Sequence, residues 1–382
     1  MKPEIVLSTK VWRSGSAWVA QMIAKAIAEE GVKIAFVAPL ARPEERDPVH
    51  ENLLRVRTPR ERVGSGSKAH RVLASFKRMA SGTWHLMRLR GAARTFIFSI
   101  PEPLALTLPV FALLRLSGAQ VIFIVHDARP HAWSLPQHFR GLERQAHRLS
   151  YLLASHLVVL TDAAGKALVS EFSISQDRIT VIPHGPFQLG RTSPIPGHGE
   201  LLVFGSLRRN KSILEVIEGV TAARRSGIPV KLILAGEPLK QEPGYWQECL
   251  EAIRIDPDGF DLRPGFVPDE RLPDLIAEAD AFVLAYQDFN SQSGVGVLAS
   301  LAGRPVIGSR SGGLGELFDR GMAGEVVAEP VSSESVRDAI ARFFAKPAEE
   351  WQHRANVSVD AVGEALRWDK IARQYIELAR SK

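Results

Sequence analysis

The chain has 382 residues, 45% hydrophobic and 24% charged, enough to bury ample core and most naturally divided into two domains of ordinary size. Its net charge is only +6, and its single cysteine, Cys249, excludes an intramolecular disulfide framework; no Cys/His cluster has zinc-site spacing, and a reducing compartment fits. The start, MKPEIVLSTKVW, lacks the basic, apolar, small-residue order of a secretion signal, so no cleavage is expected.

The first half alternates short β runs with longer helical stretches, the order of a doubly wound α/β domain. EIVLS, KIAFVAP, TFIFSI, QVIFIVHD and HLVVLTD are the expected strands, with helical apolar spacing over residues 17–29 and 104–116. The longest apolar run, residues 97–114, is broken by Pro101, Glu102, Pro103 and Pro109 and reads as strand, turn and buried helix rather than as a membrane span. From Arg55 to Arg94, eleven cations are opposed by Glu61 alone. A helix in that stretch could present apolar groups and positive charge together, which suits an anionic membrane; no stacking platform or nucleic-acid motif accompanies the charge, so no nucleic-acid partner is expected.

A second series follows the turn-rich PHGPFQLGRTSPIPGHGE: strands LLVFGS, VKLILAG, DAFVLAY and PVIGS, with helices in SILEVIEGVTAARRS and LPDLIAEA. The Pro/Gly/Ser-rich residues 190–199 are the natural linker. This gives a first domain over residues 1–188 and a second over 189–360, with a final helix near residues 361–379 able to pack back on the first. No internal repeat of 20 to 50 residues is present.

Several loops at strand ends carry chemistry. Arg13-Ser14-Gly15-Ser16-Ala17 leads into a helix whose N–H groups suit an anion or a polar sugar, which makes Gly15 and Ser16 candidate acceptor-binding residues; the plain alternative is a turn capped by Ser14 or Ser16. FGSLRRNKSILEVI ends a strand at Gly205 and puts Arg208, Arg209 and Lys211 at a helix entrance, a place for a diphosphate or simply a solvated basic turn. Both Arg208 and Lys211 are expected to be exposed. Gln292-Ser293-Gly294-Val295 forms a second anion-binding turn, with Gly294 allowing close approach and N–H groups from Ser293 to Val295; two such turns on one sheet edge suggest one pyrophosphate. In IVHDARPHAW, His126, Asp127 and His131 stand just beyond a central strand, where open α/β sheets bind ligands. His126 could hydrogen-bond sugar or phosphate, and Asp127 could orient it or take a proton. Asp256-Pro257-Asp258 reads as a surface turn, and no metal is assigned. A dinucleotide fingerprint, a G-x-S-x-G elbow, an H-E-x-x-H pair and a P-loop are all absent from the sequence.

Taken together, VIPHGPF, FGSLRRNKS, AGEP and QSGVGVLASLAGRPVIGSRSGGLGEL, with HDARPH in the first half, resemble family 4 glycosyltransferases, more closely their bacterial exopolysaccharide branch. The likeness covers most of the chain and is weakest over residues 40–95. It implies an α/β fold of the GT-B type, two doubly wound Rossmann-like domains facing a cleft. It further implies that Arg208 and Lys211 bind the donor diphosphate, that Gln292, Ser293, Gly294 and Val295 form the donor loop, and that His126 faces the donor sugar. His184 and Gly185 would sit at the hinge, Phe266 and Val267 would border the base, and Arg367-Trp368 would lie in the segment crossing back to the first domain. One departure stands out. Many family members carry two glutamates flanking seven residues, and in register with Gly303 and Pro305 this chain has Asn290 and Leu298 instead.

The resulting expectation is a metal-independent hexosyltransferase without a cofactor, which moves a sugar from a UDP- or GDP-sugar to a lipid-linked saccharide in polysaccharide synthesis. It would be cytoplasmic and peripheral at the inner membrane face. The resemblance implies retention of anomeric configuration, although related exopolysaccharide enzymes invert. A sugar-nucleotide epimerase of the same architecture and a non-catalytic nucleotide-sugar-binding partner are the rival readings; loss of the two glutamates is the support for the second.

Overall fold

The computed structural model describes residues 1–41, 47–61, 68–101, 104–128, 137–186, 193–239 and 241–381. The chain forms two compact units, Met1–Gly185 with Arg367–Lys382, and Pro186–Leu366.

Unit 1 holds β1 (Ile5–Thr9), α1 (Gly15–Glu29), β2 (Ile34–Pro39), β3 (Leu53–Thr58), α2 (Lys68–Leu89), β4 (Thr95–Ile100) and α3 (Leu104–Leu116). It continues with β5 (Gln120–Val125), α4 (Arg140–Leu153), β6 (His156–Val159), α5 (Asp162–Phe172) and β7 (Ile179–Val181). The strands form one sheet in the order β3-β2-β1-β4-β5-β6-β7, parallel throughout. Apolar side chains line both faces because helices cover both. Ile5, Leu7, Phe36 and Ile122 pack with α1, whereas Val6, Val37, Phe96 and Phe123 pack on the opposite side with residues of α2 to α5.

β3 escapes the apolar-run criterion because arginines interrupt it. Arg55 is held by the fold itself: it donates to Asp47 at 2.8 Å, to the carbonyls of Ala38 at 2.9 Å and Val56 at 2.8 Å, and lies over the rings of Trp12 and Phe36. Arg57 also meets Asp47, at 3.1 Å, and Arg90 donates to Ser117 and to the Ala93 carbonyl. The basic run between Arg55 and Arg94 is therefore not one solvated surface.

Unit 2 contains β8 (Glu200–Phe204), α6 (Ile213–Arg225), β9 (Lys231–Gly236), α7 (Pro243–Ile253), β10 (Phe260–Pro264), α8 (Leu272–Glu278) and β11 (Ala281–Leu284). Then come α9 (Gly294–Leu301), β12 (Val306–Gly308), α10 (Gly313–Asp319), β13 (Gly324–Val326), α11 (Ser333–Phe344) and α12 (Ala348–Ala365). The parallel order is β10-β9-β8-β11-β12-β13. In each sheet the chain reverses direction beside its first strand, β1 against β4 and β8 against β11, and ligands of open α/β sheets bind at the carboxyl ends of strands at such a point.

A single terminal helix over residues 361–379 is not what forms. α12 ends at Ala365, and α13 (Trp368–Arg380) starts after a break at Leu366 and Arg367. The break has a packing cause: Leu366 is buried in the core of unit 2, while Ile371, Ala372, Tyr375 and Ile376 are buried in unit 1 beside α1. Trp368 meets Trp18 edge to face at 5.9 Å and presses on Gly185, where a β-carbon would come within 2.4 Å of the indole. Gly185→Ala is therefore expected to destabilise unit 1 by roughly 1–3 kcal/mol through overpacking. Urea denaturation checks this, and unchanged stability would mean that α13 yields without cost.

Candidate functional site

At the switch point of unit 2, the loop after β8 turns at Gly205, whose φ of +97° suits glycine and which has Lys211 and Val295 as neighbours. A β-carbon there would lie 3.5 Å from Lys211 Nζ and 3.8 Å from Val295. The next loop presses much closer, since a β-carbon on Gly236 would fall 1.8 Å from the Gly205 carbonyl oxygen. Beyond Gly205 the chain makes one 3-10 turn, Arg209–Lys211, and Ser212 adopts φ 51° before α6 begins. The loop after β11 is stitched to this turn: the Gln287 N–H donates to the Asn210 carbonyl at 2.9 Å, and its side chain donates to Ser212 Oγ at 2.7 Å.

These constraints correct the expectation that both cations are exposed. Lys211 is 7% exposed, with its ammonium 5.3 Å from the centre of the Tyr286 ring. Arg208 is half-buried, and its Nε is buried with no hydrogen-bond partner. The physical reason is the pinned turn, which folds the lysine inward beneath Gly205. Among the described residues neither cation has a carboxylate partner. Burial, reinforced by the charge of Arg208, pulls the Lys211 ammonium down to about 7. Arg209 is different, stacked on Tyr245 at 4.4 Å and paired with Glu248 at 3.2 Å, which is a structural arrangement.

α9 starts beside this pair. Ser293 is its N-cap, accepting from the Gly296 N–H at 3.0 Å, and it also hydrogen-bonds Tyr286, the ring under Lys211. The N–H groups of Gly294 and Val295 are in the first turn, where no intrahelical acceptor exists. Gln292 and Ser293 are buried. The remaining part of this edge is a groove of about 430 Å³ lined by Phe204 to Ser206, Gly236 to Leu239, Gln241 and Gly265 to Val267. Phe266 is 82% exposed on its rim, and Val267 is anchored in the core.

In unit 1, the end of β5 and the end of β4 meet in His126 and Ser99, with Nε2 and Oγ 2.9 Å apart. Ser99 also reaches the carbonyl of Ser16, in α1, at 3.4 Å. The arrangement that satisfies all three groups has Ser99 donating to Ser16 and accepting from His126 Nε2–H, which leaves Nδ1 as a hydrogen-bond acceptor. Burial holds His126 down at about 4, with neighbouring Asp127 opposing and His184 assisting, so its ring is neutral at neutral pH. His184 is buried too, which lowers its basicity, and its Nδ1–H donates to the Gly185 carbonyl at 2.8 Å. Ser14 rather than Ser16 caps α1, accepting from the Ala17 N–H at 3.0 Å, so Gly15 and Ser16 form an exposed and a half-buried first turn. His131 lies outside the described residues. Among the described residues, no group of three or more His, Cys, Asp or Glu is placed to hold a metal ion.

Residues 13–185 match the family Glycosyltransferase Family 4, and residues 198–346 match Glycosyl transferases group 1. The chain belongs to the GT-B glycosyltransferases. Its similarity to the lipopolysaccharide 1,2-N-acetylglucosaminetransferase of Salmonella typhimurium is 26% identity over 181 residues, 46% of this chain and 47% of that protein. To glycogen synthase of Mycobacterium tuberculosis it is 28% over 281 residues, 69% of this chain and 64% of that one. The alignments thus span between about half and two thirds of these curated relatives. In fold, the chain is similar to Anabaena HepE, solved with UDP and glucose, with a TM-score of 0.71 at 17% identity over 98% of this chain and 99% of the other. It is also similar to WaaG, a glycosyltransferase involved in lipopolysaccharide biosynthesis, with a TM-score of 0.65 at 15% identity over 99% and 100% of the two chains.

Two residues of this glycosyltransferase's candidate site carry no sequence signal: Ser99, inside TFIFSI, and Tyr286, inside DAFVLAY, both of which read as strand ends. Lys211 makes the electrostatics testable. An anion beside it favours the protonated amine, so binding above pH 7 must draw a proton from solvent, whereas below pH 7 the amine already carries it. Affinity for a diphosphate is therefore expected to fall as pH rises through about 7. In the ligand-free protein the unfolded chain keeps a proton between pH 7 and 10.5 that the folded lysine has lost, so stability rises with pH across that window. Calorimetry with UDP-glucose and with GDP-mannose at pH 8, in buffers of different ionisation enthalpy, should show proton uptake that vanishes in Lys211→Met; no uptake in the wild type would overturn the assignment.

Proposed function

We propose that this chain transfers a hexose from a UDP- or GDP-sugar to a lipid-linked saccharide at the inner membrane face, in bacterial exopolysaccharide or related polysaccharide synthesis. The observation that carries the reading is buried Lys211 with half-buried Arg208, without a carboxylate partner among the described residues, beside Gly205 and the first turn of α9. A buried charge without a partner is costly, and a diphosphate supplies two negative groups at the one place where they offset that cost.

In the reaction, the bond between the anomeric carbon and the β-phosphate oxygen breaks and its electron pair stays on the diphosphate. The acceptor oxygen forms the new bond and gives up its proton to the departing diphosphate oxygen, which carries the electron pair. Arg208, Lys211 and the N–H groups of Gly294 and Val295 stabilise the charge that builds on the leaving diphosphate, more in the transition state than in the ground state. Gln292 and Ser293 hold this loop, and Phe266 and Val267 offer the wall for the base. His126, neutral and fixed by Ser99, hydrogen-bonds the donor sugar, with Asp127 beside it. Gly15 and Ser16 address the acceptor. Leaving-group stabilisation is assigned to these side chains and N–H groups, and no metal is assigned a part in it. α2 supplies the membrane contact: Leu73, Phe76 and Trp84 face solvent with Lys77 and Arg88, while Leu86 is buried in the core. The likeness to a lipopolysaccharide transferase supports an acceptor of this class.

Release of UDP or GDP on mixing the protein with donor and a lipid-linked acceptor tests the activity; no release with either nucleotide class would leave a binding protein. Arg208→Ala and Lys211→Met should each reduce turnover or donor affinity by about one to two decades, the equivalent of roughly 1.5–3 kcal/mol for a charge-assisted contact. Because Lys211→Met keeps the volume and removes an uncompensated charge, its melting temperature should equal or exceed the wild type's. A drop in stability with intact turnover would make the lysine structural. His126→Ala should reduce turnover more than nucleotide affinity, which parallel kinetics and calorimetry distinguish.

A further inference from the structure

Large apolar side chains left in contact with solvent are unevenly shared between the units. Among the described residues unit 2 has Ile255, Leu262, Phe266 and Val357, whereas unit 1 has about three times as many, most of them on α2, α3 and α4 or just before α4. Those three helices make the successive crossovers from β3 to β4, β5 and β6, so right-handed connection places them side by side on one face of the sheet. Their inward residues share one core, and α3 packs on α4. On the outside, Leu113 and Leu116 project from α3, the latter 85% exposed. Phe139 stands at the entrance to α4, and Leu142, Leu149 and Leu152 recur along it at the spacing of one helical stripe, Leu142 being 67% exposed.

The charge on these helices has one sign. The sequences of α2, α3 and α4 hold nine Lys and Arg and a single carboxylate, Glu143, which is buried. We infer that α3 and α4 extend the basic surface of α2 into one three-helix docking face for an anionic bilayer, with their leucines as the inserted groups. This rests on the membrane reading above and goes beyond it, because α2 alone leaves the apolar stripe of α4 and the tip of α3 without a role.

Charge decides the occupant. A two-fold contact with a second copy would set this cationic face against itself, whereas anionic headgroups take the cations at their own level and leave the apolar tips to the acyl boundary. The geometry also serves the acceptor. In a parallel sheet each crossover helix begins at the carboxyl edge of the preceding strand, so Phe139 and Leu142 stand at the edge that carries His126. A lipid-linked acceptor with its tail in the bilayer would meet unit 1 at that edge.

Flotation with phosphatidylcholine vesicles, with and without phosphatidylglycerol, tests this on three full-length proteins. They are the wild type, a variant of α3 and α4 (Leu113→Ser, Leu116→Ser, Leu142→Ser) and a variant of α2 (Phe76→Ser, Lys77→Gln, Arg88→Gln), each checked for an unchanged melting temperature. The wild type should bind only vesicles with phosphatidylglycerol, and each variant should lose about tenfold or more in partitioning. If the α3 and α4 variant floats like the wild type while the α2 variant does not, the extension is wrong and the membrane reading stands. If the wild type ignores anionic vesicles, both fall. If the wild type self-associates in sedimentation and the α3 and α4 variant does not, the face belongs to a second copy and the inference is overturned.

Discussion

A buried lysine and a half-buried arginine in unit 2, with no carboxylate partner among the described residues, set the terms for the rest of the site. Folding does not favour such an arrangement, because desolvation and mutual repulsion both oppose it, and the lowering of Lys211 to about 7 is the measure of that opposition. What keeps the pair in place is backbone: the φ of +97° at Gly205, the left-handed Ser212, and the Gln287 bonds that tie the β11 loop to the turn. Tyr286 then supplies a ring face under the ammonium and a hydroxyl against the cap of α9. Strain and charge collected at one loop, in an otherwise conventional sheet, point to a ligand that relieves both.

The two units differ in electrostatic character, and the difference suits the chemistry. Unit 2 offers fixed positive charge, which the proposed function assigns to a leaving diphosphate. In unit 1, His126 is kept uncharged by burial although Asp127 neighbours it, and Ser99 sets which of its nitrogens can accept. A neutral imidazole can order the hydroxyls of a sugar without competing for the diphosphate. Were His126 protonated, it would have no lone pair to offer.

Most of the sheet was legible as apolar runs, and both switch-point loops were legible as glycine turns followed by cations or a helix start. What stayed hidden was hidden for physical reasons. β3 reads as a basic stretch because Arg55 and Arg57 sit in it, and only the fold reveals Asp47 and the carbonyls that hold them. The short strands β7, β10 and β13 owe their conformation to the neighbours they pair with rather than to their own composition. The burial of Lys211 follows from hydrogen bonds between residues some 75 positions apart, which no local pattern encodes. Ser99 and Tyr286 lie inside strand-like motifs, so their polar roles depend on which strands end beside them.

The two missing glutamates take on a different meaning once the packing is known. Leu298 is buried in the core of unit 2, in the same cluster as Phe282, Leu314 and Leu317, so its position is filled by packing and holds no carboxylate facing a ligand. The departure therefore removes a recognition element without leaving a gap, and the loop from Gln292 to Val295 keeps its cap and its first-turn N–H groups. Under the proposed function, this loop and the groove lined by Gly265, Phe266 and Val267 are the parts of unit 2 left to hold a donor. Backbone groups and a phenyl face discriminate poorly between sugars but well between ring shapes. Under the proposed function, selectivity for a sugar is then left to polar groups outside this loop.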